Sequence, residues 1–139
     1  MIMKVRLFRP PFGHPPAFRR PLGLFLGLAL VIAAASAEQA ETEIAYLIRS
    51  VAESDYRFVR NGESYPGPEA AEHLRKKYQY RADRIHSAED FIDSVASGSW
   101  LSGEPYQVIT ASGQVLATGD WLSRRLTEYR ASSSPTHPE

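Results

Sequence analysis

Three stretches decide how this chain folds: Phe58-Val59-Arg60-Asn61-Gly62-Glu63-Ser64-Tyr65, Glu69-Ala70-Ala71-Glu72-His73-Leu74-Arg75-Lys76-Lys77, and Ile85-His86-Ser87-Ala88-Glu89-Asp90-Phe91-Ile92. In the first, Asn61-Gly62 is a pair that tolerates positive φ at both turn positions, the requirement of a type I′ hairpin. Its arms are short, so the hairpin must pack on something to persist, and an unpaired Asn-Gly loop is the alternative. The second stretch opens at Gly67-Pro68-Glu69 with a proline preset for the first turn of a helix. Helical periodicity from Leu74 puts Ala70, Ala71, Leu74, Tyr78, Ala82 and Ile85 on the core face. Arg81 falls there too, which predicts a break near Tyr80 or a buried partner for the guanidinium. In the third stretch Ser87 is an N-cap with Asp90 three residues on, and Ala88, Phe91, Ile92, Val95 and Ala96 form the apolar stripe up to Gly98.

Working outward, Ile44, Leu47, Ile48 and Val51 recur at helical spacing and predict a helix over about Glu41–Glu53. Downstream, Ser102-Gly103-Glu104-Pro105 marks a turn, and Tyr106–Thr110 alternates as a strand. Ala111-Ser112-Gly113 turns the chain, with Gln114–Ala117 as a candidate return strand. Thr118 reads as the cap of a last helix whose Trp121, Leu122, Leu126 and Tyr129 cover the core, and Ser132–Glu139 reads as a disordered tail. The expected fold is α+β and mostly α, a single small domain over residues 38–131 with about four helices and one or two short β-hairpins.

The 139 residues carry sixteen basic and sixteen acidic groups, a balance that conceals an asymmetry. Lys4, Arg6, Arg9, Arg19 and Arg20 lie in residues 1–37 without one acid, which leaves eleven basic against sixteen acidic groups afterwards, a net charge of −5. An acidic domain argues against nucleic acid as partner. With no cysteine, disulfides, a thiolate nucleophile and Cys-ligated metal sites are excluded.

Residues 1–37 have the layout of a signal peptide. A basic segment ends at Arg19-Arg20-Pro21, an apolar run spans Leu22–Ala34, and Ala35-Ser36-Ala37 offers small residues to a peptidase. The expectation is export to the periplasm or medium, cleavage after Ala37 and no stable membrane span afterwards, the apolar run being short of the ~20 residues a span needs. An uncleaved anchor is the alternative. Pro21 and Gly23 fit the twin-arginine signal poorly, so the general secretion route is favoured.

The motifs Phe58-x-Arg60-Asn61-Gly62, Glu69-Ala70, His73-Leu74-Arg75-x-Lys77, Arg84-Ile85-x-x-Ala88-Glu89-x-Phe91-Ile92 and Ser102-Gly103-x-Pro105-Tyr106 occur here in one order. Together they resemble the YfeK-like family of small exported bacterial proteins, a domain of unknown function. The resemblance spans nearly the whole chain after residue 37. It implies an envelope location and one small domain, and it brings no established catalytic residue. The Pro66-Gly67-Pro68 segment is more proline-rich than that pattern.

For chemistry, Glu69, His73, Lys77, Tyr80 and Arg84 fall within about 80° of one another as a ridge beside the core stripe. With Asn61 of the adjoining turn they are the candidate ligand-binding residues: Lys77 and Arg84 would hold an acidic group and Tyr80 would stack. The plain alternative is a solvated flank of i,i+4 pairs, each contributing about 0.2–0.5 kcal/mol. His73 reads as paired with Glu69 at a partly buried edge. No His-Glu-x-x-His and no Gly-x-Ser-x-Gly is present, so no catalytic residue, metal ligand or cofactor is assigned. Trp100, Tyr106 and Trp121 read as core. The functional expectation is a non-enzymatic binding or accessory module of the cell envelope, recognising an unknown envelope protein or cell-wall component. The alternative is a small envelope hydrolase in which Glu69 orients His73.

Overall fold

The computed structural model describes residues 22–133, with side chains from Val31 onward. The basic segment 1–21 and the expected tail residues 134–139 lie outside the described residues. Helix α1 (Leu22–Ala52) leads into the hairpin of β1 (Arg57–Arg60) and β2 (Glu63–Pro66). Helix α2 (Gly67–Arg81) and one 3₁₀ turn (Ala82–Arg84) follow, then α3 (Ala88–Phe91), which continues as a π-helical turn over Ile92–Ala96. Strands β3 (Gln107–Ile109) and β4 (Val115–Ala117) then lead directly into α4 (Thr118–Ser133). The class is α+β with helix predominating.

Helix α1 buries the face that periodicity assigned to it: Ile44, Leu47, Ile48 and Val51 are all nearly or wholly sequestered. Each such side chain contributes about 1.5–3 kcal/mol by leaving water. Residues 31–39 of the same helix are exposed all round, and Ala40 is the first buried one.

The Asn-Gly turn forms as expected, with φ of 50° at Asn61 and 79° at Gly62. Phe58 opposes Tyr65 across the hairpin. The two hairpins are not separate, however. β1 also pairs antiparallel with β3, Phe58 facing Val108, to give one sheet in the order β2-β1-β3-β4. That pairing joins residues fifty apart in sequence, and no local pattern encodes it. Its cause is shared burial: Phe58 and Val108 meet α1, α2 and Trp121 in one core cluster.

Helix α2 ends where a break was expected, and Arg81 also finds a partner, its guanidinium lying 4.0 Å from the centre of the Trp100 ring. Ala82, beyond the break, is exposed rather than core, while Ile85 returns to the core. Ser87 caps α3, its hydroxyl accepting from Asp90 N at 3.0 Å. The stripe Ala88, Phe91, Ile92, Val95 and Ala96 is buried, but the helix widens to π geometry after Phe91. Carbonyls there take partners outside the α ladder: the Ser97 hydroxyl donates to Ile92 O at 2.7 Å and the Lys77 ammonium to Val95 O at 2.6 Å.

Two further expectations are corrected. Thr118 is the first residue of α4 rather than its cap, and its hydroxyl has no hydrogen-bond partner among the described residues. Helix α4 also runs through Ser132 and Ser133, whose hydroxyls both donate to Tyr129 O at 2.8 Å. Arg130 on this helix forks onto the buried carboxylate of Glu43 at 2.7 and 2.8 Å and reaches Glu89 at 2.6 Å, tying α4 to α1 and α3.

Candidate functional site

Strand periodicity and helical periodicity converge on one place. Arg60 lies two residues past Phe58, and Tyr106 two residues before Val108, so each shares the sheet face that packs on the helices. On α2, His73 and Lys77 are separated by four residues and line up one above the other. Together they form a polar cluster beneath a pocket of about 300 Å³ whose walls include Phe58, Ala70 and Leu74.

The direction of each hydrogen bond follows from the donors. A guanidinium only donates, so the contact of Arg60 Nη1 with His73 Nδ1 requires an unprotonated Nδ1. The proton of the imidazole then sits on Nε2, which donates to the Tyr106 hydroxyl at 3.3 Å. Lys77 donates to the same hydroxyl at 3.2 Å, to Val95 O at 2.6 Å and to Gly98 O at 2.8 Å. All three ammonium donors are therefore occupied, and the ammonium also lies 4.4 Å from the centre of the Trp100 ring. Lys77 is a buried anchor that fixes the end of the π turn to α2.

These surroundings shift the ionisations. Burial, then the charges of Arg60, Lys77 and Lys76, pushes the His73 imidazole down to about 4. Burial, with Arg81 and Arg60 adding repulsion, pushes the Lys77 ammonium down to about 8. Burial raises the Tyr106 phenol. As His73 in the unfolded chain takes its proton near pH 6.5 and the folded one near 4, the unfolded state binds more protons between these values. Stability should consequently fall as pH drops from 6.5 through 4. In an NMR titration the His73 ring is expected to stay neutral to about pH 4, and Arg60→Leu to move its midpoint upward. A midpoint unmoved from the ordinary histidine value would contradict this geometry.

The family of unknown function designated DUF5329 matches residues 38–130 of this chain. The chain belongs to this family. It is also 44% identical over 67 residues to the uncharacterised protein YfeK of Salmonella typhimurium, a match covering 48% of this chain and 56% of YfeK. The chain thus spans little more than half the length of that relative. No solved structure matches.

Within this DUF5329 member, the residues singled out from the sequence are only partly brought together. Glu69 and His73 both line the pocket, but no hydrogen bond joins them among the described residues; His73 turns instead to Arg60 and Tyr106. The arrangement in which Glu69 orients His73 is therefore absent. Lys77 is beneath the cluster, not on an exposed ridge. Tyr80 is 80% exposed beside Trp100, which is itself at the surface rather than in the core. Arg84 lies past the break, near Asp83. Asn61 accepts from the Ser102 hydroxyl at 3.0 Å and pins the hairpin turn to the loop before β3. Sequence reasoning missed Arg60 and Tyr106 as site residues. The available signal was their two-residue offset from the buried Phe58 and Val108.

Proposed function

We propose that the chain is an exported, non-enzymatic binding module of the bacterial envelope that holds its ligand in the pocket beside Arg60, His73 and Tyr106. The observation carrying this reading is the occupancy of His73. Its Nδ1 accepts from Arg60 and its Nε2 proton goes to Tyr106, so neither nitrogen is open to act as a general base. What remains is a preformed concavity with apolar walls and a few convergent polar groups, the ordinary constitution of a small-molecule site.

Export is supported by the tripartite layout of residues 1–37. Cleavage after Ala37 would also remove no buried residue among those with described side chains, as burial starts at Ala40 and the family match starts at residue 38. Among the residues with described side chains, no helix is long and apolar enough to cross a membrane.

The test has two readings. Osmotic-shock fractionation with intact-mass analysis should recover a chain beginning at Glu38 in the envelope fraction; recovery only as an uncleaved cytoplasmic protein would end the export claim. Ligand-observed NMR against the small molecules of an envelope extract should give signals that broaden with the protein and recover with Arg60→Leu. Broadening identical in both proteins would remove the pocket from consideration.

A further inference from the structure

We infer that the pocket between α2 and the β1–β3 pair is a receptor for a small organic carboxylate with an apolar body. This rests on the reading of the pocket as the ligand site and names the chemistry that site would take.

The polarity of the hydrogen-bond chain carries the argument. His73 and Lys77 both donate to the Tyr106 oxygen, so that oxygen acts as acceptor and its own proton is left to be donated elsewhere. Tyr106 is 7% exposed and lines the pocket, and no protein acceptor takes that proton among the described residues. Thr118 is 2% exposed, lines the same pocket, and its hydroxyl has no partner among the described residues. A buried hydroxyl left unpaired is costly unless something arrives to pair with it. Arg60 lines the pocket as well, gives one N–H to His73, and has no carboxylate partner among the described residues. The pocket therefore presents donors in excess from three side chains, and one of them carries a full positive charge.

Donor excess calls for an acceptor-only group. A carboxylate offers about four lone-pair sites and fits the planar fork of a guanidinium. The other cation lining the pocket, Lys76, is exposed and lies 3.7 Å from Glu72, which leaves Arg60 without a second free cation and suits one negative charge better than two. Lys77 cannot supply the second, because all three of its donors are committed. The apolar part of the wall comes from Phe58, Ala70 and Leu74, which suit an apolar body of about ten heavy atoms in a pocket of this size. Glu69 and Glu72 also line the pocket but stand exposed, where solvent and salt weaken their repulsion.

The experiment titrates the purified protein with octanoate, octanamide and octyl phosphate by calorimetry and NMR. Octanoate is expected to bind one to one, and octanamide at least about tenfold more weakly, since the amide forfeits the charge-assisted bonds to Arg60. Arg60→Leu should remove the preference for the acid over the amide. Tyr106→Phe and Thr118→Val each delete a single oxygen and should weaken octanoate several-fold while thermal unfolding confirms that they stay folded. They keep the test decisive if Arg60→Leu does not fold. Equal binding of acid and amide, no binding of octanoate, or unchanged affinity in both single-oxygen variants would overturn the assignment. Tenfold tighter octyl phosphate would overturn it in favour of a phosphate site. The two readings fail separately. A cytoplasmic protein that prefers octanoate to octanamide loses the export claim alone, whereas a pocket that captures an envelope compound and ignores octanoate loses the carboxylate alone.

Discussion

Gly67→Ala is expected to cost this protein roughly 3 kcal/mol or more, although in an ordinary helix position the same change stabilises by about 0.5–1 kcal/mol. A Cβ at residue 67 would stand 2.4 Å from Val51 O, 2.8 Å from Ser54 O and 3.1 Å from Ala52 O. All three are backbone atoms at or just past the C-terminal end of α1, so no side chain can swing aside. Gly67 is where α2 starts, with Pro66 before it and Pro68 after, and φ is fixed at both neighbours. Relief must come from moving α2 bodily away from α1. The cost then spreads to Ala71 and Leu74, which share the core with Leu47 and Val51. The site should report the same movement, because α2 carries His73 and Lys77 while Arg60 and Tyr106 stay on the sheet. Urea unfolding measures the first effect and the His73 titration midpoint the second. Gln79→Ala, on the exposed flank of α2, serves as control and should stay within about 0.5 kcal/mol of the parent. A Gly67→Ala midpoint as close to the parent as that would show that the helices do not meet at this glycine.

What could be read locally was read from local physics. The face of α1, the Asn61-Gly62 turn and the Ser87 cap each depend on residues within one or two turns of one another. The end of α2 near Arg81 belongs with them, because an arginine on an apolar face forces either a break or a partner. Long-range pairing is a different matter. Nothing near Phe58 distinguishes a two-stranded hairpin from the inner strand of a sheet, and only the arrival of Val108 decides it. The π turn is equally remote in origin, since Lys77 reaches it from another helix to hold Val95 O and Gly98 O.

The candidate site was obscured by residue type. Helical arithmetic places His73 and Lys77 beside the core stripe, but a lysine there reads as an outward group, free to hold a ligand or solvated, because lysine is seldom buried. A loop bearing bare carbonyls turned that flank into an interior. Arg60 was passed over because a hairpin with one wet face gives an arginine no reason to turn inward. The pleat puts the residue two beyond Phe58 on the same face as Phe58, and that is the face α2 covers. The interior position of a charged residue is thus legible from periodicity, but its partner is not.

Glu43 makes the same point at the other end of the molecule and leads to the second large effect. It stands one residue before Ile44 and four before Leu47, so the helix face that buries them buries it too, to 4% exposure. A carboxylate there needs a cation, and Arg130 arrives from α4 with a two-pronged contact, which holds Glu43 below the usual carboxylate range. Arg130→Met keeps the hydrocarbon stem and removes the charge. Leaving a buried charge unpaired costs about 3–5 kcal/mol, and the half-exposed position of Arg130 reduces this to about 2–3 kcal/mol. For a domain near one hundred residues that lowers Tm by about 10–20 °C. The pH dependence separates this cause from lost packing. In the parent, Glu43 titrates lower when folded than when unfolded, so its contribution is complete above the ordinary glutamate value of 4.5 and disappears as pH falls through the folded one. Without Arg130 the lowering contacts are gone except for Gln39, and burial, which raises the carboxyl, takes over. The folded state of the variant then binds the proton first. The loss of stability of Arg130→Met relative to the parent should therefore shrink between pH 7 and pH 5, the His73 contribution being common to both proteins. Adding Glu43→Gln should restore part of the loss at pH 7 and flatten the slope. If Arg130→Met is destabilised equally at pH 7 and pH 5, Glu43 is not the charge that Arg130 serves, and the effect belongs to packing alone.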